Sequence, residues 1–222
     1  MSDRHKFNSD FYNITLKSVL KKELFSFFGR LFLEKKIKTP KKYLQLGCGS
    51  SEENLSDDFI NCDFFNLNFF KFYKKKKIQY LDLRYKLPFA SDIFRGVYSE
   101  HTIKHLYPTE VLRLFKEIYR VLKKNGIFRV VVPDLKKYIY YYNGKKDVFP
   151  DNQFKFGCEA IWNIAQNYEH KSLWDEEWLK FHLKNCNFHK IKRCKYQVSQ
   201  DKNLILDKKG REIESIYLEA TK

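Results

Sequence analysis

A chain of 222 residues with 43% hydrophobic and 18% aromatic residues is long enough for one domain with a full core, and needs neither disulfides nor a metal to hold it. Its apolar runs are a few residues long, far short of the roughly 20 that span a bilayer, and Met1-Ser2-Asp3-Arg4 lacks the apolar core of a signal peptide. The formal net charge of +16, from 34 lysines and 9 arginines among the basic residues, allows an anionic partner such as RNA, DNA, a membrane face or an acidic glycan. So lysine-heavy a balance also fits plain compositional bias, and it leaves nucleic acid unsupported, because proteins that read bases favour arginine.

Residues 1–10 are polar and expected to be loose. From Phe11 to Lys36, the positions Leu16, Leu20, Leu24, Phe27, Phe28 and Leu31 recur at helical spacing. Val19, Phe25 and Phe32 widen that face, Ser18, Lys22 and Gly29 lie opposite it, and Lys17, Lys21 and Lys35 flank it. Residues 1–40 therefore read as an amphipathic helical extension, expected to pack across the edge or mouth of its own domain. The alternative for such a helix is peripheral contact with a membrane, its lysines reaching out to the headgroups. Pro40 ends the connection, and the main domain is expected over residues 41–222.

Tyr43-Leu44-Gln45-Leu46 reads as a short buried strand, broken by Gly47-Cys48-Gly49. A G-x-G just past a strand permits a tight turn and lets a ligand lie against the backbone. Phe59-Ile60 leads to Asn61-Cys62-Asp63, a second strand with an acid at its tip, suited to a ribose diol. Ser50 to Asp58 allows two helical turns at most. Phe64 to Lys77 is aromatic and ends in a run of four lysines, expected as a solvated turn. Ile78 to Asp82 is a third strand ending in an acid, and Phe94 to Tyr98 a fourth, followed by Glu100-His101.

Thr109 is a candidate N-cap for a helix burying Leu112, Phe115, Ile118, Tyr119 and Leu122, with Asn125-Gly126 as its stop. Ile127 to Val132 has the look of a buried parallel strand. Gln153 to Gln166 and Asp175 to Cys186 are expected helices. Phe188 to Tyr196 and Ser215 to Ala220 are two last strands around a polar loop, Asp201 to Arg211. The sum is an α/β sheet covered on both faces. Five cysteines (Cys48, Cys62, Cys158, Cys186 and Cys194) form an odd set with no C-x-x-C, which suggests reduced thiols and a cytoplasmic setting. His182, Cys186, His189 and Cys194 match no paired-ligand spacing, so no metal is expected. Trp162, Trp174 and Trp178, with the tyrosines at 138–142, read either as core or as stacking surfaces for a sugar or base.

In order and spacing these segments resemble the class I S-adenosylmethionine-dependent methyltransferases, in their small, type-11-like branch. The resemblance rests on Leu44 to Gly49, Phe59 to Asp63, Leu81-Asp82-Leu83 with Leu87-Pro88-Phe89, Val97 to His101 with His105-Leu106, Glu117 to Lys123 with Gly126, and Val130 to Leu135. It implies a Rossmann-like methyltransferase fold: a mostly parallel seven-stranded sheet with helices on both faces and a C-terminal antiparallel strand. It implies S-adenosylmethionine as cofactor and an acceptor among small molecules or glycan precursors. Gly47, Cys48 and Gly49 would run beside the cofactor, and Asp63 would hold the ribose hydroxyls. Asp82 would sit near the adenine amino group, with Leu83 against the ring. Ser99, Glu100 and His101 would line the methionine end, His101 being the first candidate for a general base and Glu100 the second. Gln45, Ser51 and Lys104 depart from the family pattern. With the basic charge, Gln45 motivates a rival reading: the same fold without catalysis, holding RNA or an anionic membrane through its lysines. Nothing in the pattern sets an oligomeric state.

Overall fold

The computed structural model describes residues 16–34, 41–50, 55–65, 70–149 and 153–222. The expectations for residues 1–15, 35–40, 51–54 and 66–69 lie outside them. Seven strands form one sheet in the order β3-β2-β1-β4-β5-β7-β6. They are β1 (Tyr43–Leu46), β2 (Phe59–Asp63), β3 (Gln79–Tyr80), β4 (Phe94–Glu100), β5 (Leu122–Pro133), β6 (His189–Cys194) and β7 (Ser215–Thr221). The first five are parallel, while β7 runs antiparallel to both β5 and β6. All seven strands read from the sequence are present. β3 is shorter than Ile78 to Asp82, because the chain turns at Asp82, whose carbonyl accepts from the Tyr85 amide at 3.2 Å.

Two crossovers leave β1 in opposite directions, one through α2 (Phe70–Lys75) between β2 and β3, the other through α3 (Pro108–Val121) between β4 and β5. Since parallel crossovers are right-handed, the two helices lie on opposite faces of the sheet. The end of the aromatic stretch is helical, and so are Lys74 and Lys75 of the lysine run that was expected as a solvated turn; the turn is confined to Lys76 and Lys77, with Lys77 at φ +54°.

The α3 face carries the main core. Val111, Leu114, Phe115, Ile118 and Val121 pack with Leu44, Val97, Phe128 and Val130 of the strands and with Leu179 and Leu183 of α6 (Glu176–Asn185). The start and end of α3 differ from expectation. Its cap is Tyr107, whose amide donates to Glu110 Oε2 at 2.8 Å, and Pro108 takes the first helical position, where a missing N–H costs nothing. It ends at Val121, because Leu122 already turns extended into β5, and the left-handed Asn125 instead donates its amide to the Lys222 carbonyl.

The opposite face is covered by the connection between β6 and β7. Leu204 packs against Tyr43, Phe59, Tyr98, Val131 and Tyr217. Arg129, fully buried in the middle of β5, binds Asp207 at 2.6 Å and Glu219 at 3.0 Å. Tyr98 Oη also donates to Asp207, and Tyr43 Oη to Asp201 at 2.8 Å. A buried charge is costly alone, but here the guanidinium and both carboxylates satisfy one another and tie the loop to the sheet. Beyond β5, α4 (Leu135–Tyr142) and α5 (Gly157–Ala165) form a small aromatic core of Tyr138, Tyr141, Phe149 and Phe154.

The helix α1 (Leu16–Phe32) lies on the β3 side, over the turn after that strand. It packs with the wrong side by the sequence reading. Ser26 and Gly29 are buried, while Leu16, Leu20, Leu24, Phe27, Phe28 and Leu31 are exposed. The reason is close approach: a Cβ on Gly29 would stand 2.3 Å from the Tyr80 ring. Ser26 and Gly29 take the close approach there, and of the sequence's apolar face only Phe25 turns in, edge-on to the Tyr80 ring at 6.0 Å.

Candidate functional site

In a parallel sheet whose order reverses at β1, the crevice lies outside the carboxyl ends of β1 and β4. The sequence brings its glycines and acids to this end. Gly47 and Gly49 both take left-handed backbone, at φ +71° and +74°. Gly47 is required twice over, since a Cβ there would come within 2.2 Å of Thr102 Oγ1. That hydroxyl in turn donates to the Leu46 carbonyl at 3.2 Å. The Gly47 and Cys48 amides both donate to the Cys62 carbonyl, at 2.9 and 3.0 Å, which clamps the turn onto β2.

The Asp63 carboxylate at the tip of β2 accepts from the Gly49 amide. Burial pushes its pKa up to about 6, opposed by the Gly49 and Phe64 amides and by Lys208. The Cys48 thiol is buried, and burial, helped by Asp63, pushes it up beyond any role as a thiolate.

Asp82 and Leu83 are both buried. The Asp82 carboxylate is fully engaged: Arg84 Nη2 binds it at 2.8 Å, the Arg84 amide at 3.1 Å, and Ser26 Oγ of α1 at 2.5 Å. Arg84 reaches on to Glu23, also of α1. Against the upward push of burial, Arg84 and Ser26 hold the Asp82 carboxyl below its usual range. Asp82 is therefore the anchor of α1 as well as the acid after β3.

Ser99, Glu100 and His101 end β4. The Ser99 hydroxyl is buried without a hydrogen-bond partner, as is Gln45 Oε1, while Glu100 Oε2 lies 3.5 Å from Arg211 Nη1. Such orphaned polar atoms are uncommon in folded chains, and ones beside a ligand crevice are suited to a polar guest. Glu100 Oε1 accepts from the Lys208 amide at 3.1 Å, and burial raises its carboxyl above the ordinary value. His101 sits in left-handed backbone at φ +53°, a strained choice for a residue with a side chain. Its ring is fully partnered, with Nε2 2.8 Å from Ser215 Oγ and Nδ1 3.2 Å from Lys104 Nζ. Burial and the Lys104 charge hold it neutral. Burial in turn lowers Lys104 to about 8. Glu214 Oε1 lies 3.8 Å from His101 Nδ1, and Tyr138 Oη donates to Glu214 Oε2 at 2.6 Å.

The sequence reading missed Thr102, Lys208, Glu214 and Ser215 as members of this end. Only their folding together reveals them, as the β6–β7 connection lies about a hundred residues beyond the strand it covers. Lys104 stood out only as a departure from pattern. It lines a small pocket with Pro133, Ile164, His170, Ser172 and Trp174. Much of the aromatic region beyond β5 is core: Trp174 is buried, stacked on Trp178 at 4.6 Å, with its indole N–H donating to Ser172 Oγ. Tyr140 and Tyr142 are exposed. His182 packs edge-on to Trp178, and the Cys186 thiol donates to the Leu112 carbonyl. Among the described residues no group of three His, Cys, Asp or Glu could hold a metal ion. No helix among them is long and apolar enough to cross a membrane.

Residues 44–130 match the family model described as a methyltransferase domain. No curated protein sequence matches the chain. Among solved structures, a protein of Pyrococcus horikoshii is 19% identical, with 94% of this chain and 92% of that one covered at a TM-score of 0.50. A SAM-dependent methyltransferase of Thermotoga maritima is 16% identical over 92% of this chain and 93% of its own, also at 0.50. Phosphoethanolamine N-methyltransferase 2 of Haemonchus contortus, solved with S-adenosyl-L-methionine, is 17% identical; 90% of this chain covers 52% of it, with a TM-score of 0.51. At these identities the structures speak for the fold.

Proposed function

We propose that the chain is a methyltransferase of the family whose model matches residues 44–130, that it uses S-adenosylmethionine as its cofactor, and that it transfers the methyl group to a nucleophile on a small molecule or a glycan precursor. One observation carries the reading: a left-handed glycine turn at the β1 tip, bonded through the Gly49 amide to the carboxylate ending β2. That pairing puts a bare backbone and a diol acceptor side by side, the arrangement a nucleoside needs.

In this reading Asp63 accepts the two ribose hydroxyls. The Gly47-Cys48-Gly49 backbone lies along the cofactor, and Leu83 forms the wall of the base site. Asp82, committed to Arg84 and Ser26, acts at the base end by fixing α1 there. Ser99, with an unpartnered hydroxyl, and Glu100 meet the amino-acid end. S-adenosylmethionine, when bound, would supply a methyl group already activated by its sulfonium charge, so the residues here need only align the acceptor and exclude water. Where the acceptor must lose a proton, Glu100 Oε2, 3.5 Å from Arg211 Nη1, is the carboxylate oxygen placed near the β4 tip to take it. His101, neutral and bonded at both nitrogens, serves first by holding Ser215 and Lys104 in place. Exposed Tyr140 and Tyr142, just past β5, offer flat faces for a sugar ring.

Isothermal titration with S-adenosylmethionine tests this reading. Wild-type binding should weaken by about 30- to 150-fold in Asp63→Ala, the loss of charge-assisted bonds worth about 2–3 kcal/mol. Because the ionised carboxylate binds, affinity should rise with pH up to about 6 and level off above it. Below that value it should fall toward about tenfold per unit, and Asp63→Asn should flatten the profile. A variant that binds as tightly as wild type removes the reading. Transfer of labelled methyl to panels of small molecules and glycan precursors then identifies the acceptor.

A further inference from the structure

We propose that the outer face of α1 docks on an anionic lipid bilayer. Leu20, Leu24, Phe27, Phe28 and Leu31 are each between 49% and 61% exposed on the arc opposite Ser26 and Gly29, and Phe32, 68% exposed, lies beside that arc. The rings form one patch: Phe27 meets Phe28 edge-on at 5.4 Å, and Phe28 stacks on Phe32 at 6.2 Å. Monomeric soluble chains seldom leave so continuous an apolar surface uncovered.

The charges on the helix decide what covers it. The one acid of α1, Glu23, is turned under to Arg84. Lys22 reaches Glu169 at 3.4 Å, and Arg30 lies 3.6 Å over the Tyr85 ring. The inner side thus consumes its own charges. On the outer side, Lys17 and Lys21 are exposed at one edge of the apolar arc, with no carboxylate among them. An apolar band edged only by lysines complements acyl chains beneath anionic headgroups, with the lysine stems lying along the band. A second copy would set the same lysines against each other, in a chain whose formal charge is already +16. RNA would leave the leucines without partners, since they offer bases no face to stack on. Docking this way leaves the Ser26–Asp82 bond intact, so it does not depend on the methyl-transfer reading.

The test is co-sedimentation of the full chain with vesicles of phosphatidylcholine alone, or of phosphatidylcholine mixed with phosphatidylglycerol. Binding is expected to the mixed vesicles and to fade with salt. Leu24→Glu combined with Phe28→Glu should weaken it at least about tenfold. Its thermal unfolding midpoint should stay with wild type, because neither side chain enters the core. Lys21→Gln should weaken binding by about fivefold. The proposal is overturned if wild-type protein ignores both kinds of vesicle, or if the double variant binds as well as wild type. It is equally overturned if the double variant abolishes a concentration-dependent dimer or an RNA complex without changing vesicle binding.

Discussion

Helices α1 and α3 start from the same kind of sequence and meet the sheet with opposite faces. Both carry leucines and phenylalanines at helical spacing. In α3 that face is buried to the last atom: Val111, Leu114, Phe115, Ile118 and Val121 are all at 0% exposure. In α1 it looks outward, and Ser26 at 0% is the inward residue. The difference lies in what each helix meets. α3 crosses β4 and β5, which present Val97, Phe128 and Val130, an apolar surface that only an apolar face can cover. α1 meets a two-residue edge strand and the turn after it, where Asp82, Arg84 and the Tyr80 hydroxyl need polar partners and where Tyr80 leaves room for a glycine alone. Periodicity sets where a helix's faces are; the surface opposite sets which one turns in.

Stability measurements can break that comparison most directly. Phe115→Ala in α3 should cost about 3–5 kcal/mol, the loss of a large buried ring plus the cavity it leaves. Phe28→Ala in α1 should change stability by no more than about 0.5 kcal/mol, as expected of an exposed side chain. Urea unfolding of the two variants side by side checks both. Similar costs would mean that the outer face of α1 is covered in solution, and the contrast between the helices would be gone.

A smaller effect is expected from the inner side of α1. Gly29→Val puts branched carbon where the Tyr80 ring stands, 2.3 Å from the Cβ position. The helix must lift or the ring must move, at about 1–3 kcal/mol. Limited proteolysis around residues 33–41 should speed up, whereas cleavage elsewhere should not. Unchanged proteolysis would show that the helix does not lie on Tyr80.

These outcomes bear on what the residues alone could tell. The first five strands were legible because each holds a short apolar or β-branched run closed by glycine, proline or an acid. The Gly47-Cys48-Gly49 turn and Asp63 were legible for the same reason, since both lie within twenty residues and need only local chemistry. The polar half of the site was not. Glu100 and His101 could be read from their place after β4, but their partners Lys208, Ser215 and Glu214 arrive from the far end of the chain. One signal was available and went unread. Arg129 interrupts the run from Ile127 to Val132, and a cation in a buried strand demands buried acids, here Asp207 and Glu219. Following that demand would have brought the β6–β7 connection over the sheet. The orientation of α1 had a signal too, in the small residues at 26 and 29, but no local rule says that a small-residue arc wins over a leucine arc.

The finest test separates the polar grip of α1 from its shape. Ser26→Ala removes one donor to Asp82 and changes nothing else in volume terms. A bond to a carboxylate is worth about 1.5–3 kcal/mol when its loss strands the charge. Here Arg84 still binds both oxygens, so about 1 kcal/mol is the expected cost. The sign with pH follows from the same contacts. Asp82 is held below its usual 3.8 by Arg84 and Ser26, against the upward push of burial. Its contribution is therefore present above about pH 4 and is lost as pH falls through the lower folded value. Ser26→Ala should bring that loss to a higher pH, while Phe115→Ala, which touches no titrating group, should lower stability equally at every pH. If Ser26→Ala shifts nothing, Arg84 alone fixes the acid, and the inner face of α1 is held by fit rather than by charge.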